Sequence, residues 1–461
     1  MKKQSPGNLL ELFSFPKAGL LKKAGFAAGI AALFGVSVLL SLNLSVPLFL
    51  LCLILYLKYL HADLTLRPYR LLNLTLLFVI VVSLSLAVIG QGKDLALLLL
   101  PFSIVPMLAV LLFNDLVIAL LLSLASAVAV SSMWSRPAEL AMLFLLSGLS
   151  GALLVFKARK SMTIIIAGVA VGVIQSLVLF FTRAMNPVEP KLYAFLFLNG
   201  IFSGIICVGV LPIFEFLFGT ITNIRLLELA DFNHPLLNRM MQEAPGTYHH
   251  SLIVGNLSEA AGRVVGANSL LARIGAYYHD IGKLTKPDYF SENQSLFGNV
   301  HESLAPNMSK LVIMNHVKEG VELAKEYRIN PHIVDFIRQH HGTSLVYFFY
   351  RKALEEGHRQ EGVKEDVFRY PGPKPDTKET AIVLLADSVE AATRALREPT
   401  LAKMEELVHK IINNKFIDGQ LDECDLTLKD LEKISQVFIH ILTGISHTRV
   451  NYPEEKNDAA V

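Results

Sequence analysis

Only three cysteines occur in 461 residues, and Cys52, Cys207 and Cys424 are too far apart to form a disulfide framework or a zinc knuckle. They read as reduced, incidental thiols. Charge is scarce in one half of the chain. Residues 1–218 carry 15 of the 42 Lys and Arg and 7 of the 40 Asp and Glu, too few for a soluble domain. Residues 219–461 carry the remainder at an ordinary globular density. The formal net charge of +2 is too small to mark a surface for a nucleic-acid polymer, so no such partner is expected.

The first half has instead a series of apolar runs of membrane-spanning length. Spans are expected near 24–42, 44–60, 71–90, 95–113, 115–134, 138–156, 162–182 and 193–218. The break at Asn43 is the weakest, and 24–60 also reads as one long span with a re-entrant piece. Pro101, Pro106 and Pro212 are candidate kinks. No Asp, Glu, Lys or Arg falls at the middle of a span, which disfavours an ion or proton transporter and favours an anchor or a sensor. Basic residues cluster before the first span (Lys17, Lys22, Lys23), after the second (Lys58, Arg67, Arg70) and after the sixth (Lys157, Arg159, Lys160). The opposite loops offer Lys93, Arg136, Arg183 and Lys191. The bias places both ends in the cytoplasm and makes the chain a multi-pass protein of the cell membrane. The first run lacks a small-residue cleavage site and is read as retained. The expected organisation is a cytoplasmic segment 1–23, a transmembrane domain 24–218, a connector 219–246, a second domain 247–450 and a tail 451–461.

The second half reads as helical throughout. Ile224, Leu227 and Ala230 recur at helical spacing in the connector until Pro235 interrupts them. A helix is expected from Tyr248 to about Val265, with His250 heading the stripe of Ile253, Val254, Leu257, Ala261 and Val264. His249 shares a face with Asn256 and Arg263 and should be solvated. The next helix runs through Tyr277-Tyr278-His279-Asp280-Ile281-Gly282-Lys283, with Ala272, Gly275 and Ala276 leading to His279 and Gly282 ending it. A His-Asp pair alone is most often a surface dipeptide. On a helix, however, adjacent side chains diverge by about 100°, which suits a carboxylate bridging two metals beside a histidine holding one.

Lys283 suits a phosphoryl oxygen or a helix C-terminus equally well. Residues 286–308 read as a polar loop. Farther on, His316 shares a column with Val312 and Leu323, and Asn330-Pro331 open a helix whose stripe is Ile333, Phe336, Ile337 and His340. His341 sits beside that stripe, and Gly342 stops it. In a helix over Thr380–Leu396, Asp387 lies among Val383, Leu384 and Ala391, where a carboxylate costs several kcal/mol unless it is paired or metal-bound.

The candidate ligands are therefore His250, His279, Asp280, His316, His340, His341 and Asp387. Imidazoles and carboxylates without thiolates suit Fe, Mn or Zn in open coordination. Seven ligands exceed what one catalytic metal needs. They suit two divalent transition metals, Fe or Mn foremost, sharing Asp280 about 3.5–4 Å apart.

The order H…HD…H…HH…D resembles that of the HD-domain metallophosphohydrolases. Tyr248-His249-His250-Ser251, the His-Asp-Ile-Gly-Lys run, Glu292-Asn293-Gln294 and His340-His341-Gly342-Thr343 are similar to the membrane-anchored seven-transmembrane HD family. The likeness covers the spans from about 44 to 218 and an HD domain from about 219 to 450. It implies an all-α chain, a multi-span helical bundle followed by a cytoplasmic helical HD domain, and hydrolysis of cyclic di-AMP to linear pApA. It also implies that His250, His279, Asp280 and Asp387 hold one metal, and His316, His340 and His341 the other, with Asp280 bridging. Lys283 would offset charge on the phosphoryl oxygens. Substrate contacts are sought at Lys283, Asn293, Gln294, Tyr347 and Arg351; the aromatic run Tyr347–Tyr350 either stacks on purines or packs a helix.

Three rival readings stay open. Cyclic di-GMP is the substrate of HD-GYP relatives, although Gly342-Thr343-Ser344 stands here without a Gly-Tyr-Pro. The others are a nucleotidase or alarmone hydrolase, and a receptor that binds nucleotide without turnover. Two features depart from the family. Only Asn43 to Val46 separate the first two runs, where members generally carry a large extracellular domain, and Val300 stands where a proline often precedes the counterpart of His301. The partners implied are a cyclic dinucleotide, the lipid bilayer and a second copy of the chain in a homodimer.

Overall fold

The computed structural model describes residues 100–131, 137–182, 189–294, 300–356, 363–396 and 400–447. The spans expected at 24–42, 44–60 and 71–90, the start of that at 95–113, the break at Asn43, the segment 1–23 and the tail 451–461 lie outside the described residues. The chain divides into two compact units between Arg225 and Leu226.

The described part of the first unit contains α1 (Ile104–Phe113), α2 (Leu116–Ser131), α3 (Pro137–Val155), α4 (Ser161–Thr182) and α5 (Pro190–Phe218). Ala138–Val155, Ser161–Thr182 and Pro190–Phe218 are long and apolar enough to cross a membrane. Among the described residues, the run at 95–113 is helical over Ile104–Phe113 and that at 115–134 over Leu116–Ser131. Asn114 takes a left-handed conformation that stops α1, and the Asp115 carboxylate accepts the Val117 and Ile118 N–H groups to start α2. Pro212 lies within α5 without ending it. Phe180, Phe181, Phe202 and Phe216 face outward, as a lipid-covered surface allows. α4 and α5 approach closely because each carries two glycines four residues apart. A Cβ on Gly172 would lie 2.4 Å from the Phe197 carbonyl oxygen, and one on Gly200 would lie 2.2 Å from the Gly172 nitrogen. This is small-residue packing, which needs no polar group.

The second unit is also helical, with α6 (Asn223–Leu229) entering it, followed by α7 (Pro235–Glu243), α8 (Pro245–Val265), α9 (Ser269–Tyr278), α10 (Pro306–Glu326), α11 (Pro331–Gln339), α12 (Tyr347–Glu356), α13 (Lys378–Arg394), α14 (Leu401–Ile417) and α15 (Leu428–His447). Among the described residues there is no strand, only one isolated bridge between Leu345 and Arg369. Pro235 and Pro245 each occupy a first helical turn, where a missing N–H costs nothing. Pro235 thus begins α7 rather than merely interrupting a run, and α8 starts three residues earlier than Tyr248.

Side chains on the apolar face of α8 (Val254, Leu257, Ala261) pack with Ile382–Ala386 and Val389 of α13, Met404, Val408 and Ile412 of α14, and Ile434 and Phe438 of α15. Asn268 and Asn330 cap α9 and α11, and Thr377 and Thr380 form a reciprocal cap on α13. This core fixes α8, α9 and α13, the helices from which His250, His279 and Asp387 come. Among its described residues, the polar stretch 286–308 has short 3₁₀ turns at Pro287–Tyr289, Ser291–Asn293 and Val300–Glu302.

Candidate metal centre

The His-Asp pair does not lie inside a helix. α9 ends at Tyr278; His279 is its C-cap in a helical conformation, and Asp280 (φ −109°) leads into a 3₁₀ turn over Ile281–Thr285. Nor does Gly282 serve as a helix stop. A Cβ there would lie 1.8 Å from the His316 carbonyl oxygen and 2.5 Å from the Gly320 nitrogen, so its role is to let the turn press against α10. Gly275 does the same against α11, where the Phe336 ring would meet a Cβ at 2.4 Å.

These contacts bring the seven candidate ligands together from sequence positions 250 to 387. Two groups of four form, His250, His279, Asp280 and Asp387, and Asp280, His316, His340 and His341, each with ligand atoms within 4.8 Å of one another. Asp280 belongs to both. Its Oδ2 lies 3.1 Å from His279 Nε2 and 3.6 Å from His250 Nε2, while its Oδ1 lies 3.4 Å from His316 Nε2 and 3.6 Å from His340 Nε2. Asp387 spans the other side, with Oδ1 3.1 Å from His250 Nε2 and Oδ2 3.6 Å from His341 Nδ1. Ligands about 2.0–2.2 Å from a common ion are separated by spacings of this size.

The hydrogen bonds decide which ring nitrogen points inward. His279 Nδ1 meets the Ala276 carbonyl at 2.6 Å, His316 Nδ1 the Ile313 carbonyl at 2.5 Å, and His340 Nδ1 the Ile337 carbonyl at 3.0 Å. A carbonyl only accepts, so Nδ1 carries the proton and Nε2 turns its lone pair to the centre when the ring is neutral. His250 differs, because its Nδ1 meets the Glu390 carboxylate at 2.5 Å. His341 stacks on Tyr370, with ring centroids 4.2 Å apart.

Asp280 is 1% exposed; the Lys283 ammonium lies 2.8 Å from its Oδ2, while its Oδ1 and the buried His279 Nε2 have no hydrogen-bond partner among the described residues. Such orphaned atoms are costly in a protein interior, and a divalent cation in each group would satisfy them. The donor set therefore fits two metal ions. Burial first, then repulsion from His279, holds His340 down to about 3; burial, then His340, holds His341 well below the ordinary histidine value. His316 is lowered mainly by burial. All three are therefore neutral at physiological pH, the form in which an imidazole can hold a metal. Burial also opposes charge on His250, but hydrogen bonds to Asp387 and Glu390 prevail and raise it to about 9. The Asp280 and Asp387 carboxyls are held below the usual carboxylate range despite burial, Asp280 by His279 and Lys283, and Asp387 by His250 and His341.

The expected substrate residues are arranged differently from the ligands. Lys283 is mostly buried, its ammonium 2.8 Å from Asp280 Oδ2, 2.7 Å from Glu292 Oε1 and 5.0 Å from the centre of the Phe290 ring. Asn293 is turned inward to the protein, accepting the Thr247 N–H at 3.2 Å and donating to Thr247 Oγ1 at 2.9 Å. The Gln294 side-chain nitrogen is buried without a partner. Tyr347 is 63% exposed, and Arg351 pairs with Glu355 at the surface. Among residues 347–350, Phe349 is the buried one, so the packing reading holds there. Glu390, Tyr370 and the ion-pairing of Glu292 were missed. Glu390 had a signal, three residues after Asp387 on the same helical face; Tyr370, in an extended stretch, had none.

Residues 36–222 match the model of the 7TM receptor with intracellular HD hydrolase, and residues 247–392 match the HD domain. The chain thus carries, in order, regions similar to both parts of the seven-transmembrane HD family. The cyclic-di-AMP phosphodiesterase PgpH of Bacillus subtilis is 46% identical over 320 residues, covering 68% of this chain and 44% of that protein. PgpH of Listeria monocytogenes is 44% identical over 319 residues, with the same coverage of 68% and 44%. The chain thus spans less than half the length of the curated relatives it matches. A crystal structure of the L. monocytogenes PgpH HD domain in complex with cyclic-di-AMP is 49% identical, covering 47% of this chain and 99% of that one, with a TM-score of 0.45.

Proposed function

We propose that this chain is a member of that family, a membrane-anchored, metal-dependent phosphodiesterase that hydrolyses cyclic di-AMP to the linear dinucleotide, with its HD domain in the cytoplasm. The observation that carries the reading is Asp280, a buried carboxylate whose two oxygens each face a different pair of imidazoles. His250, His279, Asp280 and Asp387 would hold one divalent ion, and Asp280, His316, His340 and His341 the other, Fe or Mn being favoured by the nitrogen and oxygen donors. Two such ions supply a nucleophilic water at neutral pH and charge that offsets the phosphoryl oxygens.

The chain's own residues do the rest. Asp280 and Asp387 remain anionic, so the centre has negative charge to balance the ions. Lys283, held between Asp280 and Glu292, would orient the Asp280 carboxylate and has a third ammonium proton to offer a phosphoryl oxygen. Thr247 and Asn293 tie the 287–294 stretch to the start of α8, beside His250. The adenine specificity rests on the two relatives named for cyclic di-AMP, which share nearly half of the aligned residues.

The test is turnover of cyclic di-AMP and cyclic di-GMP by detergent-solubilised protein reloaded with Mn²⁺. Cleavage of the adenine compound to the linear dinucleotide, lost on His340→Ala, is the expected result. Equal rates on both compounds would remove the adenine assignment, and binding without cleavage by metal-loaded protein would leave a receptor.

A further inference from the structure

Four of the buried histidines lean on a second group, and three of them lean on neutral backbone carbonyls of their own helix. His250 alone of the four leans on a charge. Its Nδ1 lies 2.5 Å from Glu390 Oε2, and Glu390 is 4% exposed. Arg394 Nη2 donates to both Glu390 oxygens at 2.7 and 2.8 Å and itself lies 3.2 Å from His250 Nδ1, so it braces the carboxylate at the ring edge. The His250 ring stands between Glu390 and the centre, because Nε2 on its far side faces Asp387 and Asp280. Glu390 on the Nδ1 side thus cannot take the place of a ligand. Asp387, Glu390 and Arg394 follow one another at intervals of three and four residues, so one face of α13 offers a ligand, an orienting carboxylate and its counter-ion.

An anionic acceptor on one imidazole nitrogen fixes the ring and makes the other nitrogen a stronger donor to a metal. Arg394 offsets the Glu390 charge and fixes its two oxygens. We infer that Glu390, backed by Arg394, is a positioning residue that makes His250 the strong donor of the His250–His279–Asp280–Asp387 position and so distinguishes the two metal positions in affinity. This deepens the metal-dependent reading above and rests on it.

The experiment uses detergent-solubilised full-length protein and Mn²⁺ under anaerobic conditions, with ion content and chelator competition as readouts. Wild type should hold about two ions per chain. Glu390→Gln keeps an acceptor but removes the charge, and should weaken one ion by about 10–100-fold while the other is unchanged. Glu390→Ala should lose one ion outright, and Arg394→Gln should weaken the same ion less than Glu390→Gln does. The melting temperature of the metal-free protein should stay near wild type in Glu390→Gln, which separates positioning from a general loss of fold; if Glu390→Ala does not fold, that isosteric variant decides. Wild-type affinity for both ions in Glu390→Gln, or equal weakening of both, overturns the inference and leaves the metal reading standing. A wild type that binds no ions overturns both.

Discussion

At the scale of single residues, the chemistry turns on Asp280. A carboxylate buried among four imidazoles, with the Lys283 ammonium beside Oδ2 and no hydrogen-bond partner on Oδ1 among the described residues, destabilises a fold unless further cations meet it. Asp280→Ala should therefore take the ion content from about two per chain to near zero, whereas His316→Ala should leave about one, as read by elemental analysis of the purified protein. Retention of one ion by Asp280→Ala would separate the two positions and break the bridging role. Proton linkage gives a second check. A protonated imidazole cannot hold a metal, and His250 keeps its proton up to about 9 in the metal-free protein, while His340 loses its own at about 3. Ion affinity at the His250 position should thus climb about tenfold per pH unit between pH 6 and 8, and that at the His340 position should stay flat. Chelator competition at several pH values measures both slopes, and two parallel slopes would contradict the assignment.

At the scale of elements, glycines decide how closely helices and turns approach. Replacing Gly282 by alanine puts a methyl group 1.8 Å from the His316 carbonyl oxygen, so the turn after the His-Asp pair and α10 must separate. The variant should be destabilised by about 1–3 kcal/mol, and because His316 moves with α10 its ion should be bound more weakly. Calorimetry and ion content test the two effects together; an unchanged melting temperature would show that the turn can yield. In the membrane-spanning unit, Gly200→Val should push α4 and α5 apart for the same reason and lower the yield of folded protein in detergent. The apolar stripes that carry His250, His316 and His340 were legible because a helix repeats every 3.6 residues. The end of α9 was not, because nothing in Tyr278-His279-Asp280 signals the change from α to 3₁₀, and Gly282 resembles a stop signal while acting as a spacer.

At the scale of the whole molecule, the clustered Lys157, Arg159 and Lys160 between α3 and α4 support a cytoplasmic position for that loop and for the second unit. On the proposed orientation α4 would carry the chain across, and Lys191 would emerge on the other side. In a background without native cysteines, Lys191→Cys should react with a membrane-impermeant maleimide in intact cells, and Lys160→Cys and Lys433→Cys only after lysis. Labelling of Lys433→Cys in intact cells would place the HD domain outside and defeat a role in hydrolysing a cytoplasmic second messenger.

The amino-acid sequence by itself determined the apolar first half, the helical second half, and the identity and order of the seven candidate ligands, because periodicity and composition are local properties. Only the tertiary structure decided who meets whom. It set Asp280 between two imidazole pairs, turned Asn293 onto Thr247 rather than outward, and held Lys283 between Asp280 and Glu292. It also placed Glu390 on His250 across 140 residues of chain and Tyr370 on His341. Each of these pairings depends on which helix packs beside which, and a side chain's spacing along its own helix records the face it lies on but not the neighbour that covers that face.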